Sequence, residues 1–184
     1  MNEAAASWPL AVRLIHWASA ALVCAALACG VYMVQVVDDI GTRFELTQTH
    51  KSIGIAVLML TLARLCLRML TATPGPEAAT PLLVATAKVV HASLYALLLA
   101  MAVSGWLMAT STPVRVPTVV FGLLTLPYPL SPDLSTYRLA HVIHVVCAIS
   151  LVALVALHAG AALLHACLWR DRTLARMWRK QRLV

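Results

Sequence analysis

Charge is what this sequence lacks most. Only 11% of its 184 residues are Asp, Glu, Lys or Arg, while 61% are hydrophobic and the mean hydropathy is +0.86. Soluble domains carry about 25% charged residues, so a disordered chain, a fibrous repeat and a water-soluble enzyme are all excluded. Aromatic residues are also few. The net charge of +7 is accompanied by two Phe, four Tyr and five Trp, too few to read the excess of Lys and Arg as a nucleic-acid surface. Five cysteines, Cys24, Cys29, Cys66, Cys147 and Cys167, lie in apolar stretches without C-x-x-C spacing, which leaves neither a redox pair nor a zinc site. There is no internal repeat and no low-complexity tract. Ala26 to Cys29 faintly resembles a lipoprotein cleavage box, but the apolar stretch around it outruns the roughly 7 to 15 residues of a signal h-region and contains His16 and Trp17. It is expected to be a helix of the mature protein.

Long apolar runs are what is present. Four segments, at about 10–34, 50–70, 82–109 and 138–169, are each long enough to cross ~30 Å of hydrocarbon at ~1.5 Å per residue. The expected fold is an all-α membrane protein, a four-transmembrane-helix bundle forming one membrane domain over 1–184. Ser7 with Pro9, and Thr80 with Pro81, read as helix starts. Pro74 and Pro76 punctuate the second connection. The third, 112–135, holds five of the nine prolines and an apolar run, VVFGLLTLPYPL, too short and interrupted to span, so it is expected to lie at the membrane interface.

Sorting the basic residues by side puts ten on one face: Arg13, Arg64, Arg68, Lys88 and six in the tail 170–184. Four, Arg43, Lys51, Arg115 and Arg138, fall on the other. By the positive-inside rule both termini are cytoplasmic. With acids included the inner face holds all of the +7 and the outer face is neutral. The charge is orientation signal and points to no nucleic acid.

Seven histidines, His16, His50, His91, His141, His144, His158 and His165, lie in or beside the spans. Ionisable groups inside a membrane are costly and by default functional. His144 and His158 are fourteen residues apart in one segment, about four turns and ~21 Å along one face. One metal ion cannot bridge that distance, and neither has a His at i+4 of the kind a zinc helix offers. A haem iron, by contrast, takes one His from each of two facing helices. Two stacked haem sites follow. His50 is the level counterpart of His144, whereas His158 can be matched by His16 or by His91, and geometry leaves that choice open. His141 is rotated away and His165 lies below. Arg64 and Arg68, past His50 on about the same stripe, bring guanidinium groups near the inner site, where haem propionates can use them. Gly30 and Gly105 fall at the level of the outer site.

The order of these motifs resembles the bacterial cytochrome b561 family over nearly the whole chain: IHW at His16, H-x-x-x-G from His50 to Gly54, RLCLR from Arg64 to Arg68, FGLLTLPY from Phe121 to Tyr128, and LHAGAALLHACLWRDRTLARM from Leu157. The resemblance implies two haem b groups ligated by the first, second and fourth helices, which pairs His16 with His158 and His50 with His144. It also implies a bacterial inner membrane, a periplasmic outer face and electron exchange with the quinone pool. Similar members oxidise superoxide outside and reduce ubiquinone. Superoxide is drawn by positive charge, and with a neutral outer face the candidates are Lys51, Arg138 and, more loosely, Arg115. Two other readings are an electron conduit or anchor between quinone and a partner redox protein, and a His-lined metal or proton transporter. His91 and His165 are left without an assigned role.

Overall fold

A computed structural model describes residues 7–71, 74–75 and 80–178. Pro76, Glu3, Glu77, Arg179, Lys180 and Arg182 lie outside the described residues. Four long helices follow one another: α1 (Leu10–Gln35), α2 (Ile40–Leu70), α3 (Pro81–Ser111) and α4 (Leu134–Leu164). All four are long and apolar enough to cross a membrane. Most of their large apolar side chains point outward, as expected where lipid is the solvent. Below, inner denotes the end of the bundle at which α1 begins and α4 finishes, and outer the end opposite.

The helix starts repay comparison with the sequence. Thr80 caps α3 by accepting a hydrogen bond from the Leu83 amide at 3.4 Å, with Pro81 at the first helical position, as its sequence suggested. Ser7 caps nothing, because α1 starts directly after Pro9 and has no side-chain cap. The largest departure is α2, which begins at Ile40 and not near 50. Its polar first turns, GTRFELTQTH, fail a hydropathy test but satisfy a helix by other means. Asp39 accepts from the Thr42 amide at 2.7 Å, and Thr47, Thr49 and Ser52 return their hydroxyls to carbonyls one turn back. At 31 residues the helix is roughly 46 Å long, against ~30 Å of hydrocarbon, so its polar start projects beyond the apolar slab.

Each helix packs chiefly on its sequence neighbour, most extensively α3 on α4 and α1 on α2, with α2 and α3 joining the two hairpins. A small apolar core of Val23, Val57 and Leu151 sits mid-bundle, surrounded by Leu27, Leu94, Leu98, Met101 and Val155 among others. The third connection forms a two-stranded antiparallel hairpin, β1 (Thr118–Val120) with β2 (Leu124–Leu126). Its turn uses positive φ at Phe121 (49°) and at Gly122 (73°). α2 holds it by the backbone. Gln48 donates to the Pro117 carbonyl at 2.7 Å and accepts from the Val119 amide at 3.1 Å, while the Ser52 hydroxyl accepts from the Phe121 amide at 2.9 Å.

At the inner end, α4 passes into a π-helical turn, His165–Trp169, closed by Arg170 in the left-handed region (φ 52°). The chain then folds back as a short helix, α5 (Ala175–Trp178). Trp178 meets Trp17 edge to face at 5.1 Å, and the Trp17 indole donates to the Met177 carbonyl at 3.1 Å. The first part of the expected basic tail is therefore a structured cover on the start of α1.

Candidate functional site

The four helices enclose two cavities, one above the other. The outer has an empty volume of about 460 Å³ and is lined by His50 and His144 with Ala26, Gly54, Met101 and other apolar residues. The inner, about 660 Å³, is lined by His16, His91 and His158 with Arg64, Tyr95 and apolar residues. Val23, Leu98 and Leu151 line both and form the septum between them.

His50 and His144 face each other with ring centroids 6.2 Å apart, and His16 and His158 do the same at 6.2 Å. With metal–imidazole bonds of about 2.0–2.1 Å and about 1.1 Å from nitrogen to ring centre, two imidazoles trans on one metal hold their centroids roughly 6.3 Å apart. Both pairs match that spacing. His91 and His158 are 5.2 Å apart, too close for the same arrangement. The choice between His16 and His91 that the sequence left open thus acquires a physical criterion. Among the described residues, no three His, Cys, Asp or Glu side chains gather around a point suited to a bare metal ion.

The outer rings are held by groups that sequence reading did not single out. His50 donates Nδ1–H to the Ala26 carbonyl of α1 at 3.1 Å. On the other side, the Ser104 hydroxyl of α3 donates to the Ala100 carbonyl at 2.7 Å and accepts from Nδ1–H of His144 at 3.0 Å. The Ala26 carbonyl can only accept and so fixes the His50 tautomer that leaves Nε2 unprotonated, the form a metal requires, and Ser104, its hydrogen spent on Ala100, favours the same tautomer in His144. Gly30 and Gly105 complete the two seats. A Cβ on Gly30 would stand 3.3 Å from His50 Cε1, and one on Gly105 would stand 3.2 Å from His144 Cε1. The glycines flagged for their level in the membrane therefore receive imidazole rings. A buried serine mid-helix and a glycine beside it were the available signal for α3, but only the packing shows which ring they serve.

The inner cavity is differently furnished. His16 Nδ1 and the Tyr95 hydroxyl are buried without a hydrogen-bond partner. Arg64 lines the cavity and lies 5.7 Å over the Tyr95 ring. Arg68 is not brought to the lining and stacks on Trp8 at 5.9 Å. None of Lys51, Arg115 and Arg138 lines the outer cavity. Arg115 and Arg138 are exposed, Lys51 is half-buried, and Arg115 lies 5.7 Å over Tyr128. His141 is exposed and stacks on Tyr137, and His165 pairs with Asp171 beside Trp169. Asp171 is held below the usual carboxylate range. Desolvation alone would raise it, and hydrogen bonds from His165 and from the amide and hydroxyl of Thr173 outweigh that.

A four-helix membrane bundle with facing histidine pairs at two depths is the frame of a membrane cytochrome b. The family model for prokaryotic cytochrome b561 matches residues 7–180, and the chain belongs to that family. It is 34% identical over 163 residues to "Cytochrome b561 homolog 2" of Escherichia coli (strain K12), covering 88% of this chain and 86% of that protein. It is 31% identical over 135 residues to "Probable superoxide oxidase CybB" of Yersinia pestis, covering 72% and 74%. The protein is accordingly a multi-pass bacterial membrane protein of haem b electron transfer.

Proposed function

We propose that the chain holds two haem b groups, one between His16 and His158 and one between His50 and His144, in the bacterial inner membrane with its termini cytoplasmic. The observation carrying this reading is the recurrence of one spacing, 6.2 Å, in two histidine pairs at different depths. The donor set fits the group. Paired imidazoles line both cavities, and the buried Tyr95 hydroxyl and the Arg64 guanidinium at the inner site suit its carboxylates. Bound there, haem supplies reversible one-electron chemistry, tuned by axial ligand and surroundings. The protein's own part is to hold and insulate. His50 and His144 are oriented by Ala26 and Ser104, Val23, Leu98 and Leu151 keep water out of the middle, and Arg64, with Arg68 nearby, supplies positive charge at the inner site.

The reaction proposed is oxidation of superoxide at the periplasmic face and reduction of ubiquinone. Each superoxide gives up one electron and leaves as dioxygen, and two electrons with two protons convert ubiquinone to ubiquinol. The relative described as a probable superoxide oxidase supports this substrate. Because both histidines of each pair would be spent on holding the haem, superoxide would not reach the metal, and its rate would depend on encounter. Lys51, Arg138 and Arg115 supply the positive charge that favours an anion there.

The test has two parts. Purified protein is expected to show a low-spin b-type spectrum with about two haems per chain; His144→Ala loses mainly one and His158→Ala mainly the other. One haem in the wild type, or loss of a haem in His91→Ala with none in His16→Ala, overturns the pairing. Superoxide generated by pulse radiolysis is then expected to reduce the protein at a rate that falls with salt and with Lys51→Glu plus Arg138→Glu. No reduction by superoxide favours a conduit between quinone and a partner redox protein.

A further inference from the structure

The inner cavity carries more hydrogen-bond donors than the chain can satisfy. Ser19, also in its lining, spends its hydroxyl on the Ile15 carbonyl at 2.7 Å. Tyr95 does not: its hydroxyl is buried and has no partner. The Arg64 guanidinium lies over the same ring, and among the described residues no carboxylate pairs with it, the single ion pair there being His165 with Asp171. A buried hydroxyl without a partner is costly, and a half-buried guanidinium beside it calls for an anion. Both side chains line one wall of one cavity, on neighbouring helices α2 and α3. What is missing is an acidic acceptor.

We infer that Tyr95 is a positioning residue for the inner haem, donating its hydroxyl hydrogen to a propionate carboxylate that Arg64 neutralises. This rests on the proposal that the inner cavity holds a haem. It adds a polar ligand group from α3, the helix that supplies no axial histidine in that reading. The consequence is electrostatic. A bare carboxylate beside the macrocycle favours the ferric state, which bears the greater positive charge. A donor that withdraws charge from the carboxylate favours the ferrous state. Removing the hydroxyl therefore makes the inner haem harder to reduce.

The test compares wild type with Tyr95→Phe, which keeps the ring, its packing and its contact with Arg64. Each is loaded with haem b or with the dimethyl ester of haem b, whose propionates carry no charge. Redox titration followed optically resolves the two haems, the inner being the one missing from His158→Ala. With haem b, Tyr95→Phe is expected to shift the inner reduction equilibrium about fivefold toward ferric, roughly 40 mV at 59 mV per tenfold for one electron. With the ester the two proteins are expected to coincide. Arg64→Gln serves as second variant and shifts the haem b form the same way. An equal effect in both cofactor forms, or none in either, overturns the role of Tyr95. Failure of the wild type to bind an inner haem at all overturns the underlying reading, a result seen in haem content before any titration.

Discussion

At the scale of single residues, the histidines announced themselves and their supports did not. Spacing of fourteen along α4 and a common depth are properties of one-dimensional order, so His50, His144, His158 and the two rivals His16 and His91 were legible from sequence. Ser104 was not, because its role depends on which ring crosses from α4 to α3. Ser104→Ala takes from Nδ1 of His144 its side-chain partner, at a position only 2% exposed. Loss of such an outer partner typically costs about 10–100-fold in metal affinity. The expected outcome is weakened retention of the outer haem with the inner unchanged, read by haem content and by titration of the stripped protein with haem. Gly105→Val is expected to act in the same place by bulk, since even a Cβ there stands 3.2 Å from the ring. If Ser104→Ala binds both haems as tightly as wild type, the serine merely satisfies its own helix.

Elements are where the sequence misled. Hydropathy finds the part of a helix that sits in hydrocarbon and is blind to the part that sits in water, so the first ten residues of α2 were lost and its cap, Asp39, with them. The hairpin in the third connection was invisible for a related reason. Its three-residue strands are held mostly by Gln48 and Ser52, nearly seventy residues away in sequence. At ~100° per residue these two lie on the far side of α2 from His50. Gln48→Ala with Ser52→Ala should thus release the hairpin without disturbing the histidine pair. Hydrogen exchange at the Val119 and Phe121 amides is expected to rise by on the order of tenfold, each lost bond being worth about 1 kcal/mol, while the absorption spectrum stays put. Spectral change at the outer haem would mean that the hairpin reaches further than its bonds.

The return from that hairpin into α4 has its own pH signature. Asp133 caps α4, accepting from the Ser135 and Thr136 amides at 3.3 and 3.0 Å and from both hydroxyls. These bonds, the Thr136 hydroxyl first, lower its pKa from 3.8 to about 2. A carboxylate depressed in the folded state stabilises fully above its unfolded pKa of 3.8, and that stability is lost as pH falls through about 2. Asp133→Ala should therefore unfold the start of α4 more readily at pH 6 and converge on wild type near pH 2. Protection of the Ser135 and Thr136 amides reports it, and a difference that persists unchanged at pH 2 assigns the effect to something other than the charge.

Across the whole molecule, the four-helix class, the two-level arrangement and the family were already present in the order of motifs. What could not be read was the inner cover, where α5 packs Trp178 on Trp17, because a basic, charge-rich tail gives no periodicity from which to infer docking. Nor did sequence reveal how thin the boundary between the levels is.

That boundary has a consequence for charge. Val23, Leu98 and Leu151 form an apolar layer in the middle of the bundle, and none of the three is ionisable to screen one cavity from the other. With a haem at each level, as proposed, an electron resting at one would be felt at the next. Over ~21 Å and an effective dielectric constant of about 20, Coulomb's law gives roughly 0.8 kcal/mol, enough to make the second reduction about fourfold harder than the first. Two haems behaving as mutually repelling capacitors would titrate over a broader span than two independent ones. In His144→Ala the inner haem, relieved of its neighbour, is expected to follow a clean one-electron curve, displaced toward easier reduction relative to its position in the doubly loaded protein with the outer haem already reduced.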